Sequence, residues 1–266
     1  MVCSAPAPQG QVLLGVFAHP DDESLACGGL LARCVAAGAA VTLLCLTRGE
    51  GGPGIAPEAD GDETAARRRL GEQRTRELGA AAGVLGVSDL QVLDYADGML
   101  PWTDAAALEA DIQRAVERLR PNVIVTFGPD GLYWHADHIS VHERTTAVVA
   151  AMGAAAPALY YVTMPPGQMR EVSRHAGVGA EVVPGLGDPD AFGALAEPPS
   201  LVVEAGPFAA RKLTALLCHH SQMAASPMAA VAPGDAARLL GTEHFRRADV
   251  GASGPAFIDS FASPTT

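Results

Sequence analysis

The sequence predicts a three-layer α/β fold of Rossmann-like topology, with a mostly parallel sheet between two layers of helices. Short apolar runs alternate with helical segments along the chain, which is typical of a parallel sheet covered on both faces. The 266 residues are 48% hydrophobic and only 18% charged, enough to build one large core. Two of the apolar runs are followed at once by histidine and aspartate. We therefore expect an active site at the C-terminal edge of the strands.

The elements follow one another in a regular order. Buried strands are predicted from the apolar runs at Val12–Phe17, Val41–Leu46, Leu90–Leu93 and Val123–Phe127, with two further candidates at Leu159–Val162 and Leu201–Glu204. Helices are predicted between and after them, at Gly28–Ala37, Asp62–Leu85, Asp104–Leu119, Ile139–Ala151 and Phe208–Cys218. Asp104 is a suitable N-cap for the third of these helices.

A single domain accounts for most of the chain. We expect a flexible N-terminus over residues 1–10, one α/β domain over 11–250 and a loosely held C-terminal tail over 251–266. Residues 163–206 are rich in glycine and proline and show no clean periodicity. A stretch this long is usually functional or mobile and seldom a mere connection, so we interpret it as a rim or lid over the site.

Composition and the absence of certain motifs disfavour several classes of protein. The formal charge of −12 disfavours binding to nucleic acid or an anionic membrane. The sequence begins without a secretory signal, and no apolar run approaches the roughly 18 residues that span a bilayer. A soluble cytoplasmic protein is expected. The five cysteines lack C-x-x-C spacing, which disfavours a cysteine zinc site, and no G-x-G-x-x-G motif follows the first strand, which disfavours a dinucleotide site.

The most informative motif is His-Pro-Asp-Asp-Glu at residues 19–23, directly after the first predicted strand. It places one imidazole and two carboxylates at the edge of the sheet where α/β folds bind ligands. This donor set suits a divalent metal ion, zinc above all. One carboxylate can bind the ion while its neighbour acts as a base.

A second cluster follows the strand Val123–Phe127, where His135, Asp137 and His138 lie just beyond the strand end. Parallel strands bring such distant segments together at one edge. A lone histidine after a strand is usually a capping or hydrogen-bonded residue. Two clusters at matching strand ends favour a metal site instead, because burying several acids and imidazoles without a metal or other partners would be costly.

These two motifs, HPDDE at 19–23 and H-x-D-H at 135–138, resemble those of the LmbE-like, or PIG-L, N-deacetylases. That family includes the deacetylases of N-acetylglucosaminyl-phosphatidylinositol and of the mycothiol and bacillithiol precursors. The resemblance runs from about residue 11 to about 222, with further matches at Thr47–Gly51, Arg74–Leu78, Asp94–Gly98 and His219–Gln222. Residues 163–206 match no part of the family pattern.

The resemblance implies a ligand set and a general base. His19, Asp22 and His138 would bind zinc, although ferrous iron tolerates the same ligands. Asp21 would take the proton of the attacking water. His142 lies one helical turn after His138 and is a weaker candidate ligand, since three protein ligands already complete an open zinc site.

The resemblance also implies roles around the substrate. As an imidazolium, His135 would hydrogen-bond the oxyanion opposite the metal, with Asp137 orienting it and favouring its charged form. Whether Asp21 alone transfers both protons, or shares them with His135, is left open. Contacts to the sugar are expected from Arg74, Asp97 and Tyr133. For Arg74 the alternative is a solvated helix charge.

The expected activity is a metal-dependent hydrolysis that removes acetyl from a small 2-acetamido-sugar glycoside and leaves a free amine. One alternative is an amidase that cleaves a larger acyl group from an amino-sugar conjugate. The other is a non-catalytic sugar-binding protein with a structural metal, which the presence of Asp21 and His135 argues against. The expected partner is the small amino-sugar substrate, and homo-oligomerisation is left open.

Overall fold

One mixed sheet forms the centre of the protein. The structure, a computed structural model, describes residues 5–53, 62–177, 188–195, 198–224 and 226–263. Across these residues the strands are β1 (Val12–Phe17), β2 (Ala40–Thr47), β3 (Asp89–Tyr95), β4 (Val123–Phe127), β5 (Ala158–Thr163), β6 (Leu201–Glu204) and β7 (Thr242–Gly251). Their order in the sheet is β3-β2-β1-β4-β5-β7-β6. Neighbours pair in parallel except at β7, which is antiparallel to both β5 and β6.

Helices cover both faces of this sheet, which confirms the predicted fold class. They are α1 (Asp22–Ala36), α2 (Glu63–Leu85), α3 (Ala105–Leu119), α4 (Gly131–Trp134), α5 (Ala136–Ala151), α6 (Gln168–His175), α7 (Ala209–Cys218), α8 (His220–Met223) and α9 (Ala236–Leu240). Asp62 and Asp104 cap α2 and α3 through their side chains, accepting hydrogen bonds from Ala65 and Ala106. Within the described ranges, no helix is long and apolar enough to cross a membrane.

The order of the strands creates a crevice at β1. The chain runs from β1 outward to β2 and β3 on one side, then returns to β4 and β5 on the other. At such a reversal the connections leave the sheet in opposite directions, and the gap between them is the usual ligand site of an open α/β fold. Both motifs lie there, one after β1 and one after β4. The core strands are buried on both faces, which explains their continuous apolar runs.

Strand β7 and helix α6 are not predicted by the sequence pattern, and neither are the short helices α4, α8 and α9. Strand β7 reads TEHFRRADVG, and its charged residues hide the alternation that places Phe245 and Ala248 in the core. Helix α6 lies inside the glycine- and proline-rich segment that we interpret as a rim. Of that segment, 178–187 and 196–197 lie outside the described residues.

The C-terminal segment differs from the expected loose tail. Residues Phe257–Phe261 form a 3-10 helix, and Phe257, Ile258 and Phe261 are buried against the core. The backbone N–H of Ser263 donates to the carbonyl of Val202 on β6 at 2.9 Å. Three large apolar side chains and a strand-edge hydrogen bond are enough to hold this segment in place, so the structure contradicts the expectation over 257–263.

Candidate metal centre and active site

The chain changes direction sharply as it leaves β1. Ala18, His19 and Pro20 follow the strand, and Asp21 is the N-cap of α1 with φ 112°. This left-handed backbone conformation is strained for a residue other than glycine, at a cost on the order of 1–3 kcal/mol. The turn brings the side chains of His19, Asp21 and Asp22 to the cleft at this edge of the sheet.

Three side chains converge on one point. His19 Nδ1 lies 3.1 Å from His138 Nε2, His138 Nε2 lies 3.2 Å from Asp22 Oδ1, and His19 Nδ1 lies 3.5 Å from Asp22 Oδ2. A tetrahedral zinc ion with bonds of about 2.0–2.1 Å holds its ligand atoms about 3.3 Å apart. The three residues are therefore spaced as zinc ligands are.

The outer nitrogens of both histidines are engaged. His138 Nδ1 donates to the carbonyl of Gly131 at 3.0 Å, and His19 Nε2 donates to Asp97 Oδ1 at 3.0 Å and to Asp137 Oδ2 at 3.1 Å. These contacts assign the ring protons to the outer nitrogens and leave the facing nitrogens unprotonated. Two lone pairs 3.1 Å apart repel each other unless a cation lies between them. The donor set and its outer partners thus fit a divalent metal.

Other groupings of the same side chains are less suitable. Within the described residues, potential ligand atoms also come within 4.8 Å in the sets His19–His135–His138 and His19–Asp97–Asp137. The second set lies on the Nε2 side of His19, where the ring needs its proton. In the first, the ring of His135 stacks on that of His138 at 4.5 Å, and the set lacks a carboxylate. Only the set that includes Asp22 supplies a negative charge between two free imidazole nitrogens.

The electrostatics of the centre favour a cation. Burial disfavours the charged form of His19, but its hydrogen bonds to Asp137, Asp22 and Asp97 raise its pKa well above the usual value. Burial likewise opposes ionisation of Asp22, yet His138 and His19 lower the pKa of this carboxyl well below its usual range. The carboxylates thus stabilise positive charge at this point, and a metal ion supplies that charge without a ring proton.

The carboxylate of Asp21 borders the cleft beside Arg74. Burial raises its pKa to about 6; the charge of Arg74 opposes this shift and that of Asp22 adds to it. Arg74 is itself buried: its Nη2 lies 3.3 Å from Asp21 Oδ2 and donates to the carbonyl of Pro20, and its Nη1 donates to the carbonyl of Gly49, each at 2.7 Å. The solvated-charge alternative for Arg74 is thereby excluded. It borders the cleft and holds Asp21.

Asp137 does not orient His135. Its Oδ2 accepts from His19 Nε2 and from the Gly98 N–H, and its Oδ1 accepts from the Leu100 N–H, so the structure contradicts the expected pairing. Among the described residues, Nδ1 of His135 has no hydrogen-bond partner. Burial, followed by repulsion from His138 and His19, lowers the pKa of His135 to about 4. These effects favour a neutral ring over the imidazolium expected from the sequence.

The two other expected substrate contacts border the same cleft. Asp97 accepts hydrogen bonds from the Gly51 N–H at 2.8 Å and from His19. It therefore orients the His19 ring and also forms part of the cleft wall. Tyr133 packs edge-on to His135 at 5.8 Å between ring centroids and stacks on Phe192 at 4.8 Å. Phe192 belongs to the segment 188–195, so at least this part of the predicted rim reaches the site.

The cleft is open to solvent and has a volume of about 200 Å³. One side of it is polar and contains the residues described above. The other side is apolar and comes from α1, α7, α8 and the turn that follows, through Leu25, Leu216, Met223 and Met228. A cleft with a polar and an apolar wall can hold a small molecule with hydroxyl groups and C–H faces.

Glu23 and His219 are buried behind the site, and the sequence interpretation gives them only structural roles. Glu23 Oε1 accepts from His219 Nε2 at 2.9 Å, and Glu23 Oε2 accepts from the backbone N–H of Asp21 at 3.1 Å. Both residues lie in the quoted motifs, but 196 positions separate them, so no local pattern links them. His142 does not join the centre, because its Nδ1 is hydrogen-bonded to the carbonyl of Phe127 and its ring packs on Tyr161.

Comparisons with known proteins identify relatives of this chain. The family described as "PIG-L: GlcNAc-PI de-N-acetylase" matches residues 14–151. A 1D-myo-inositol 2-acetamido-2-deoxy-alpha-D-glucopyranoside deacetylase from Kineococcus radiotolerans is 35% identical, over 93% of this chain and 80% of its own.

Two solved structures share the fold at low identity. The N,N'-diacetylchitobiose deacetylase from Pyrococcus horikoshii has a TM-score of 0.62 at 18% identity, covering 90% of this chain and 84% of its own. The 4-carboxy-2-hydroxymuconate hydratase from Pseudomonas putida KT2440 has a TM-score of 0.61 at 17% identity, covering 91% and 98%. At such identities the structures show the fold alone. The family match and the relative's 35% identity go further: this chain belongs to the PIG-L family of de-N-acetylases.

Proposed function

We propose that this chain is a metal-dependent N-deacetylase that hydrolyses the acetamide of a small 2-acetamido-sugar glycoside to acetate and a free amine. The observation that carries the proposal is the convergence of His19, Asp22 and His138, with the carboxylate of Asp21 beside them. The name of the Kineococcus relative, a deacetylase of a 2-acetamido-2-deoxyglucopyranosyl inositol, supports the choice of substrate class.

Zinc is the ion that we propose for the centre, with His19, Asp22 and His138 as its ligands. Two imidazoles and one carboxylate leave a fourth position open, as catalytic zinc sites do. When bound, the ion would polarise a carbonyl oxygen and make water acidic enough to attack near neutral pH. Ferrous iron accepts the same ligands and remains the alternative.

Asp21 would accept the proton of the attacking water. A carboxylate whose pKa is raised to about 6 by burial is a stronger base than an exposed one and is still largely ionised at neutral pH. The ion pair with Arg74 fixes the carboxylate in the cleft. Once protonated, Asp21 can return the proton to the departing amine.

His135 and Tyr133 would act on the other side of the scissile carbonyl. Both side chains border the cleft, and His135 lies against the two histidine ligands. A neutral imidazole still donates one N–H, so it can hydrogen-bond the developing oxyanion. His135 would thus still contact the oxyanion as expected from the sequence, and Asp21 would carry out the proton transfers.

The walls of the cleft suit a sugar and leave room beyond an acetyl group. Arg74, Asp97 and Gln222 offer hydrogen bonds to hydroxyl groups, and the apolar wall can cover a C–H face. The same apolar wall favours a second candidate, an amidase that removes a longer acyl chain. A hydratase has the same fold, so the fold alone does not identify the reaction, and the reaction has to be measured.

The test is release of acetate and free amine from the inositol glycoside named in the relative, beside N,N'-diacetylchitobiose and an analogue that carries a longer acyl group. Stoichiometric acetate and amine, absent with Asp21→Asn, support the proposal. Faster hydrolysis of the longer amide would select the amidase instead. No hydrolysis of any of these amides by the zinc-loaded protein would overturn the proposal.

A further inference from the structure

The strained turn at Asp21 is held from behind by Glu23. With φ 112°, the backbone N–H of Asp21 points to Glu23 Oε2 and donates to it at 3.1 Å. The carbonyl of Asp21 is fixed at the same time, because it accepts from the N–H of Leu25 at 3.0 Å. The direction of the Asp21 side chain thus depends on where the Glu23 carboxylate lies.

The Glu23 carboxylate is in turn held by His219. Glu23 is 2% exposed and His219 is fully buried, and the two side chains join at 2.9 Å through Nε2. A buried carboxylate is unfavourable without donors, and Glu23 Oε1 has two of them: the Ser24 hydroxyl next to it in the chain, at 2.5 Å, and His219, which comes from a distant segment. His219 lies at the junction of α7 and α8, where its backbone carbonyl accepts from Gln222 and Met223, two residues that border the cleft.

The second nitrogen of His219 argues against a purely structural role. Among the described residues, its Nδ1 is buried and has no hydrogen-bond partner. Leaving a buried polar atom unpaired is unfavourable, so a side chain chosen for packing alone would be apolar here. What the imidazole provides is a donor at Nε2, directed at Glu23.

We propose that His219 is a positioning residue of the active site: through Glu23 it holds the backbone of Asp21 in the left-handed conformation that directs the Asp21 carboxylate into the cleft. The inference rests on the proposed function, since it concerns the base of that reaction. It assigns His219 no contact with substrate or metal.

The test compares two replacements that differ in the position of one donor. In His219→Gln the amide nitrogen can occupy the place of ring Nε2, whereas in His219→Asn it reaches only the place of Nδ1. We expect His219→Asn to lower kcat about 10–100-fold, as loss of an orienting partner does, with KM and zinc content near those of the parent. We expect His219→Gln to recover most of kcat. His220→Asn, at the exposed neighbouring position, is the matched control and should leave kcat unchanged.

Crystal structures of the two variants provide a readout that does not depend on activity. The φ of Asp21 should remain positive in His219→Gln and become negative in His219→Asn. Equal kcat in all variants, or an unchanged Asp21 backbone in His219→Asn, would overturn the inference. Loss of zinc from His219→Asn would also overturn it, because it would show that His219 affects the metal ligand Asp22 and not only Asp21. A parent protein without deacetylase activity would refute the proposed function alone, and the Asp21 backbone would still decide the inference.

Discussion

Four aspartates at one edge of the sheet differ in character because their neighbours differ. Burial raises the pKa of Asp21 to about 6 despite the charge of Arg74. Burial acts in the same direction on Asp97, but its hydrogen bond and charge interaction with His19 lower the pKa to about 2. Asp22 faces His19 and His138, and the Asp137 carboxylate accepts three hydrogen bonds. The four residues are of one type, so their different properties come from the neighbours that the fold gives each of them.

Asp137 provides the sharpest distinction between the sequence interpretation and the structure. In Asp137→Asn the carboxylate that accepts from His19 Nε2 is lost, so the ligand ring is less well oriented and less basic. We expect zinc affinity to fall about 10–100-fold, measured by competition with a chelator. The fully zinc-loaded variant should retain most of its kcat. Unchanged zinc affinity with a strongly reduced kcat would instead return Asp137 to the role of orienting His135.

Asp21 and Asp22 are adjacent and should behave in opposite ways. Asp21→Asn removes a base but no ligand, so we expect full zinc content and a loss of about 10²–10⁴ in kcat. Asp22→Asn is the matched control and should lose zinc, because it removes the only charged ligand. Metal analysis and acetate release on the two purified proteins check both. Near-parental activity of Asp21→Asn would show that another group is the base.

At this scale the sequence identifies the participants but not their partners. His19, Asp22 and His138 follow from two motifs at strand ends. The contacts of Asp137 with His19 and of Glu23 with His219 depend on how side chains of distant segments are rotated in the folded chain. Asp137 precedes His138 on one helix, where neighbouring side chains point in different directions. Helical spacing therefore predicts that Asp137 and His138 point apart, but it does not predict which histidine ring the Asp137 carboxylate contacts.

At the scale of elements, α1 is built in two parts. Its helical geometry is interrupted at Cys27, with φ −150° and ψ 20°. The backbone N–H groups of Gly29 and Leu30 then donate to Glu243 of β7 at 2.8 and 2.7 Å. Lys212 of α7 completes the arrangement with an ion pair of 2.7 Å. A carboxylate at the start of a helical segment is favourable, and here it joins three elements of the fold.

This arrangement predicts a stability effect away from the cleft. Glu243→Gln leaves Lys212 buried without a charged partner, so we expect the free energy of unfolding to fall by about 3–5 kcal/mol. Urea denaturation measures it. The double change Glu243→Gln with Lys212→Met should recover part of the loss, since it removes the unpaired charge. A loss below about 1 kcal/mol in the single variant would show that the pair contributes little.

Predictability of the elements follows their physical origin. Strands β1 and β4 are apolar throughout because helices cover both faces, and their bounds agree with the predicted ones residue for residue. Strand β7 carries Glu243 inward to meet Lys212 and the helix amides, so its pattern does not alternate cleanly. The buried contacts of Glu243 stabilise the fold, and the same charged residue makes β7 difficult to predict from the sequence.

At the scale of the whole molecule, fold class and site location come from the same feature. Five parallel strands reverse their order at β1, and the reversal brings segments 119 positions apart into hydrogen-bond distance at His19 and His138. The net charge of −12 raises the local concentration of cations, which assists loading of a divalent metal at low ionic strength. The role of 163–206 as a rim or lid remains a prediction, supported by the contact between Phe192 and Tyr133.

The central claim is that three converging side chains bind the metal on which hydrolysis depends. The most direct measurement is acetate release from the inositol glycoside after removal of metal with a chelator and stepwise return of zinc. We predict that activity is lost on removal and returns in full at about one zinc per chain, and that His138→Ala neither binds this zinc nor recovers. Full activity in the metal-free protein, or full zinc occupancy in His138→Ala, would contradict the claim.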